Sequence, residues 1–89
     1  MAYLLDIPKK IDKMFLKLSK KDKIQFNIIS RKINEILQDP YRYKPLTGNM
    51  AGIRRVHIGK SFVLTYEILE KQNLIRLLDY EHHERIYEK

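Results

Sequence analysis

The stretch Ile53-Arg54-Arg55-Val56-His57-Ile58-Gly59-Lys60-Ser61-Phe62-Val63-Leu64-Thr65-Tyr66-Glu67-Ile68-Leu69 decides the fold. Val56 and Ile58 point to one side and Ile53, Arg55 and His57 to the other, the period of two that marks a strand buried on one face. Gly59-Lys60 reads as a two-residue turn with glycine first, so residues 61–69 return as the next strand. Residues 70–73 turn the chain again. A further strand follows over 74–80, with Leu74, Leu78 and Tyr80 alternating against Ile75, Leu77 and Asp79.

Toward the N-terminus the period changes. The segment 40–52, PYRYKPLTGNMAG, holds two prolines and two glycines and no periodicity, and reads as a loop across the surface. Such loops on a rigid scaffold often carry function. Before it, Ile24, Ile28, Ile29, Ile33, Ile36 and Leu37 recur at helical spacing until Asp39-Pro40 stops them, and Ser19 followed by Asp22 resembles a capping box that starts this helix. An earlier amphipathic helix sets Ile11, Met14, Phe15 and Leu18 against Lys9, Lys10, Asp12, Lys13 and Lys17. Residues 2–7 are short and apolar and end at Pro8, as a strand entering a helix does. The expected fold is α+β: an N-terminal strand, a helical hairpin and a three-stranded antiparallel meander. The two helices cover one face of the resulting four-stranded sheet, and Arg55 and His57 stand on the other, partly open face.

Eighty-nine residues make a single domain over 1–89, too small for a deep cofactor cleft plus a second module. Eighteen Lys+Arg against eleven Asp+Glu give a net charge of +7, which points to a polyanion or an acidic protein as partner. The surplus is concentrated up to Lys44, where eleven basic residues face five acidic ones; from Pro45 onward the balance is seven against six. No cysteine is present, so disulfides and thiolate metal sites are excluded. Leu4-Leu5 is broken at once by Asp6, and no later run approaches membrane-spanning length, so the expectation is a cytoplasmic protein with no membrane partner.

The candidate chemistry lies on the open face and in the tail. His57 and Arg55 share a strand face, and a neighbouring strand can bring His83 toward them. Histidine moves a proton near neutral pH, and arginine binds a phosphate or stabilises the charge that builds on it. The last dozen residues carry His82, His83, Arg85 and Tyr87 just past an apolar strand, where side chains project from an edge and a phenol can stack on a base. Tyr41 and Tyr43, interleaved with Arg42 and Lys44, suit the same task or pack the loop onto the sheet. The helix lysines are solvated faces or a footprint for phosphates. Adjacent His82 and His83 face opposite sides on a strand, so no metal is expected; no glycine-rich phosphate loop, H-E-x-x-H or nucleophile elbow occurs, and no cofactor is expected.

With these residues in place the chain resembles the RelE/ParE superfamily of toxin–antitoxin toxins. The resemblance covers nearly the whole chain and rests on Lys44-Pro45-Leu46-Thr47-Gly48, on Gly52-Ile53-Arg54-Arg55-Val56-His57-Ile58-Gly59 leading into Val63-Leu64-Thr65-Tyr66-Glu67-Ile68, and on His83-Glu84-Arg85-Ile86-Tyr87. The strand histidine and the ending look most like the RelE, YoeB and YafQ branches, which enter the ribosomal A site and cleave messenger RNA. The resemblance implies a metal-independent endoribonuclease in which the ribose 2′-hydroxyl attacks the adjacent phosphate. Carried over by position, Lys44 matches a site of proton transfer, His57 a histidine or arginine on the second strand, His83 a C-terminal histidine or arginine, and Tyr87 an aromatic that orients the nucleotide. Arg54, Arg55, Arg42, Tyr43 and Arg85 are the expected RNA and phosphate contacts.

The chain departs from the pattern in three places. Val63 stands where relatives often have arginine, Ser61 where the YafQ-like branch has aspartate, and Lys44 where an acid or histidine is usual. The resemblance implies a cognate acidic antitoxin, the ribosome and mRNA as partners. Two alternatives stand beside cleavage: a ParE-like toxin that poisons DNA gyrase, and a catalytically weakened relative that only binds antitoxin.

Overall fold

The computed structural model describes residues 3–46 and 52–82. Strand β1 (Leu4–Asp6) leads into helices α1 (Lys9–Lys21) and α2 (Lys23–Gln38) and a 3₁₀ turn at Pro40–Arg42. Strands β2 (Ile53–Ile58), β3 (Phe62–Leu69) and β4 (Leu74–His82) follow, with a second 3₁₀ turn at Glu70–Gln72 between the last two. The sheet runs in the order β1-β4-β3-β2. The meander is antiparallel, and β1 closes the sheet as a parallel neighbour of β4, with Leu4, Leu5 and Asp6 opposite Leu74, Ile75 and Arg76. Parallel strands need a long crossover, and the helical hairpin provides part of it. Asp6 and Arg76 lock the pair with a 2.9 Å ion pair.

The core lies between the hairpin and one face of the sheet. Ile11 and Phe15 of α1 and Ile29 and Ile36 of α2 pack on Val56, Ile58, Leu64, Tyr66, Ile75, Leu77 and Tyr80. Phe15 meets Tyr80 edge to face, and Phe62 stacks on Tyr80 with ring centroids 5.0 Å apart. Tyr66 is fully buried, and its hydroxyl donates to the Pro40 carbonyl at 2.6 Å, which ties the start of the loop to the middle of the sheet. Burial holds the Tyr66 phenol far above its usual ionisation range.

Four local expectations need correction. The break between the helices falls at Asp22, whose side chain accepts the Gln25 amide at 3.1 Å. Ser19 stays inside α1, where its hydroxyl donates to the Leu16 carbonyl at 2.6 Å, so the hydroxyl satisfies itself within the helix and caps nothing. The hairpin between β2 and β3 uses three residues, since Ile58 pairs with Phe62; Gly59 takes the left-handed conformation (φ 63°). The strand read over 74–80 extends to His82, and its alternation slips. Thr65 pairs with Asp79 but Tyr66 with Leu77, which leaves Leu78 as the extra residue of a bulge. One extra residue inverts the parity, so Ile75, Leu77 and Tyr80 all reach the core. The first strand, read over 2–7, is confined to Leu4–Asp6 among the described residues.

The face away from the helices is less open than its alternation suggests. Val63 and Thr65, on the central strand β3, are buried there, flanked in register by His57 and Glu81 and by Arg55 and Asp79.

Candidate functional site

After α2 the chain does not drift over the surface but runs along the outer edge of β2. The Leu46 amide donates to the Ile53 carbonyl at 2.7 Å, and the Arg55 amide donates to the Lys44 carbonyl at 3.3 Å. This short pairing fixes Lys44 beside Arg55. Together with α2 it encloses a recess of about 440 Å³ lined by Lys32, Tyr43, Lys44, Arg55, Val56 and His57. Four residues expected from the sequence to handle RNA therefore share one hollow: Tyr43, Lys44, Arg55 and His57. Its lining combines ammonium, guanidinium and imidazole groups, which suits a phosphate more than any neutral ligand.

Tyr43 forms a wall that is held from two sides. Its hydroxyl donates to Glu35 Oε1 at 2.5 Å, and its carbonyl accepts from Arg54 Nη1 at 2.6 Å. Burial, reinforced by the bond to Glu35, pushes the Tyr43 phenol up to about 12, so it is a neutral wall and no base at physiological pH. The same bond, together with Lys32 and Arg42, holds the Glu35 carboxyl below its usual range.

The other expected residues divide. Arg54 lies on the β2 face turned to the helices; besides its bond to Tyr43 it stacks 5.0 Å over the Tyr41 ring, so its guanidinium fastens the loop. Arg42 lies 3.9 Å from Glu35 and 5.8 Å from the centre of the Tyr43 ring. Tyr41, half exposed, also reaches Glu70, which takes the Tyr3 hydroxyl at 2.7 Å. His82 pairs with Phe62 and meets its ring edge to face at 5.6 Å, on the face of the sheet opposite His57. His83, Arg85 and Tyr87 lie outside the described residues, so the expected meeting of His83 with His57 does too. Val63, which stands where the family resemblance often has arginine, is a fully buried aliphatic side chain between His57 and Glu81.

Lys32 is the lining residue that the sequence does not single out, since the helix lysines together read as solvated faces or a footprint for phosphates. The signal was present: Lys32 follows Ile29 by three positions and precedes Ile36 by four, and these are the two buried residues of α2. A cation inside an apolar stripe faces the sheet side of its helix. Among the described residues no cluster of three or more His, Asp or Glu could hold a metal ion, and no helix is long and apolar enough to cross a membrane.

Comparison with known proteins decides the family. A family model described as ParE-like toxin of type II bacterial toxin–antitoxin systems matches residues 5–89. The chain belongs to this family. A protein of Methanosarcina mazei is 47% identical over 96% of this chain and 99% of its own length. The candidate toxin RelE4 of Methanocaldococcus jannaschii is 40% identical over 98% of this chain and 93% of its own. Among solved structures, a YoeB/ParE toxin from Agrobacterium tumefaciens superposes with a TM-score of 0.78 at 16% identity, covering 90% of this chain and 98% of that one. The isolated E. coli RelE toxin gives 0.75 at 22%, covering 98% and 93%. The RelBE2 toxin–antitoxin complex of Mycobacterium tuberculosis gives 0.73 at 19%, covering 93% and 100%. At these identities the structures share the fold: two helices on a four-stranded mixed sheet. The protein is thus a toxin of the RelE/ParE superfamily, and it has the RelE-like architecture that the sequence predicted.

Proposed function

We propose that this toxin is a ribosome-dependent mRNA endonuclease of the cytoplasm, neutralised by a cognate acidic antitoxin. The observation that supports this reading best is the recess that gathers Lys44, Arg55 and His57 beside the neutral phenol of Tyr43. In the reaction the ribose 2′-oxygen attacks the adjacent phosphorus as the 5′-oxygen leaves. This needs a group to take one proton, a group to give one, and cations for the charge on the phosphate, but no metal. His57 moves a proton in this scheme, and Arg55 and Lys44 hold the phosphate. His83 is its proton-transfer partner, Tyr87 orients the nucleotide and Arg85 adds a phosphate contact. Arg42 and Arg54 act through the loop they brace. The solved antitoxin complexes of structural relatives support the antitoxin as partner.

The test is single-turnover cleavage of a message on a programmed ribosome, run beside naked RNA and an assay for gyrase-dependent DNA breaks. Efficient cut sites on ribosome-bound message with weak cleavage of free RNA are expected, because scattered basic groups supply charge while the ribosome holds the substrate in line. Gyrase-dependent breaks without RNA cleavage would replace this reading with the gyrase poison. Antitoxin binding with neither activity would identify a weakened relative.

A further inference from the structure

Helices α1 and α2 carry nine lysines and arginines, eight of them exposed, and Lys32 alone is half-buried. Its ammonium lies 4.0 Å from Glu35 Oε1, the outer limit of an ion pair, and 5.8 Å from the centre of the Tyr43 ring. Glu35 does not depend on this contact, because it already accepts the Tyr43 hydroxyl and has Arg42 at 3.9 Å. Lys32 can therefore turn from Glu35 to an anion at little cost. The recess draws cations from two sources: Arg55 and Lys44 from β2 and its edge, and Lys32 from α2, which reaches the same hollow from the helix side of the sheet.

This geometry has a chemical consequence. During in-line attack the phosphate gains negative charge on its non-bridging oxygens, and cations on one side can neutralise only part of it. We propose that Lys32 is the helix-borne phosphate ligand of the recess, contacting a non-bridging oxygen of the scissile phosphate that Arg55 also holds and stabilising the charge that gathers there. The inference rests on the cleavage reading above. In that reaction the 2′-oxygen bonds to phosphorus, its proton passes to a base, the 5′-oxygen leaves with a proton from an acid, and a 2′,3′-cyclic phosphate remains. Lys32 neither gives nor takes a proton. It supplies charge, compact and movable on a flexible stem, where Arg55 supplies a rigid planar fork.

The experiment measures single-turnover cleavage on programmed ribosomes for the parent, Lys32→Ala, Lys32→Gln, Lys32→Arg, His57→Ala and the exposed-lysine control Lys20→Ala, with thermal melting in parallel. Lys32→Ala and Lys32→Gln should slow the chemical step by about 10²- to 10³-fold, the range for removing one stabilising donor, while half-saturation moves less than about threefold. Lys32→Arg should recover most of the rate, and Lys20→Ala should match the parent. Sulfur in place of a non-bridging oxygen should slow the parent but add little to Lys32→Ala, which a purely structural role would not produce. The glutamine variant keeps most of the stem and so separates lost charge from lost packing. A parental rate in Lys32→Ala beside a dead His57→Ala overturns the role of Lys32 and leaves the cleavage reading standing, as does a loss confined to half-saturation. No cleavage by the parent, or full activity in His57→Ala, overturns the cleavage reading and this inference with it.

Discussion

Two of the hollows beside β2 differ in what lies at their floor. One, of about 440 Å³, is walled by Lys32, Tyr43, Lys44, Arg55 and His57. The other, of about 490 Å³, lies between the tip of the helical hairpin and the β2–β3 turn, with core residues Ile58 and Tyr80 beside Met14, Leu18 and Phe62 at its floor and polar groups such as Lys17, Asp22 and Lys60 also lining it. A single step along the strand, from His57 to Ile58, passes from imidazole to fully buried core. On the proposed cleavage reading, chemistry and stability are segregated by the parity of one strand, and substitutions at adjacent positions should fail in opposite ways.

The largest expected effect tests that segregation directly. His57→Ala should lower the cleavage rate by about two to four orders of magnitude, the usual range for an acid–base group, without shifting the melting temperature by more than a degree or two. Ile58→Ala should do the reverse, costing about 2–5 kcal/mol of stability, at about 4–8 °C of melting temperature per kcal/mol, while the folded fraction cleaves at the parental rate. If both variants lose the same property, the two hollows are not independent.

Tyr66→Phe probes the link between them. It leaves the buried Pro40 carbonyl without its 2.6 Å donor, a loss of about 1–3 kcal/mol, and frees the start of the loop that fixes Tyr43 and Lys44. Both melting temperature and cleavage should fall, the second by less than in His57→Ala. Unchanged cleavage would show that the edge pairing of Lys44 and Leu46 positions the recess unaided.

The smallest effect concerns the Tyr43 wall. The Glu35 carboxyl is held below its ordinary value of 4.5, first by the Tyr43 hydroxyl and then by Lys32 and Arg42. Its folded-state value is depressed, so its contribution is fully present above the unfolded value and is lost as pH falls through the folded one. Chemical denaturation of the parent and Glu35→Gln should show a modest gap near neutral pH that closes on acidification below about pH 4.5. Tyr43, raised to about 12, behaves in the opposite sense: its contribution is intact below 10 and is lost as pH climbs through the raised value. A gap that ignores pH on the acid side would remove the charged Glu35 from the account of the wall.

How much was legible in the sequence follows from which forces are local. Periodicity in Val56 and Ile58 and in Ile29 and Ile36 exposed the strands and helices, because a half-buried element writes its own period. The placement of Arg55 and His57 on the sheet face away from the helices followed from parity alone. Ser19 and Asp22 are both competent caps, and only the backbone geometry at Asp22 chooses between them. The bulge at Leu78 is a decision between strands, which a single strand's alternation cannot record. The recess was half visible: its strand wall lay in the motif, but Lys44 reaches it through edge pairing and Lys32 through packing of α2 beside β2. Edge pairing has no signature along the chain, and packing leaves only the faint one of Lys32 standing between Ile29 and Ile36.

The parallel contact of β1 with β4 bears on how the toxin comes into being. Among the described residues the first strand has its partner in the last; the Asp6–Arg76 bridge joins groups 70 positions apart. Closing so long a loop is entropically costly and slow. During synthesis β1 must wait, unpaired, until β4 has been made, so a closed sheet is not expected in a nascent chain that ends before Leu74. Protease protection of stalled chains that end before Leu74 should report a hairpin without a closed sheet, and protection should rise sharply once β4 has cleared the tunnel. On the proposed cleavage reading, a toxin directed at translation would then reach its working form only after the ribosome has made its last described strand.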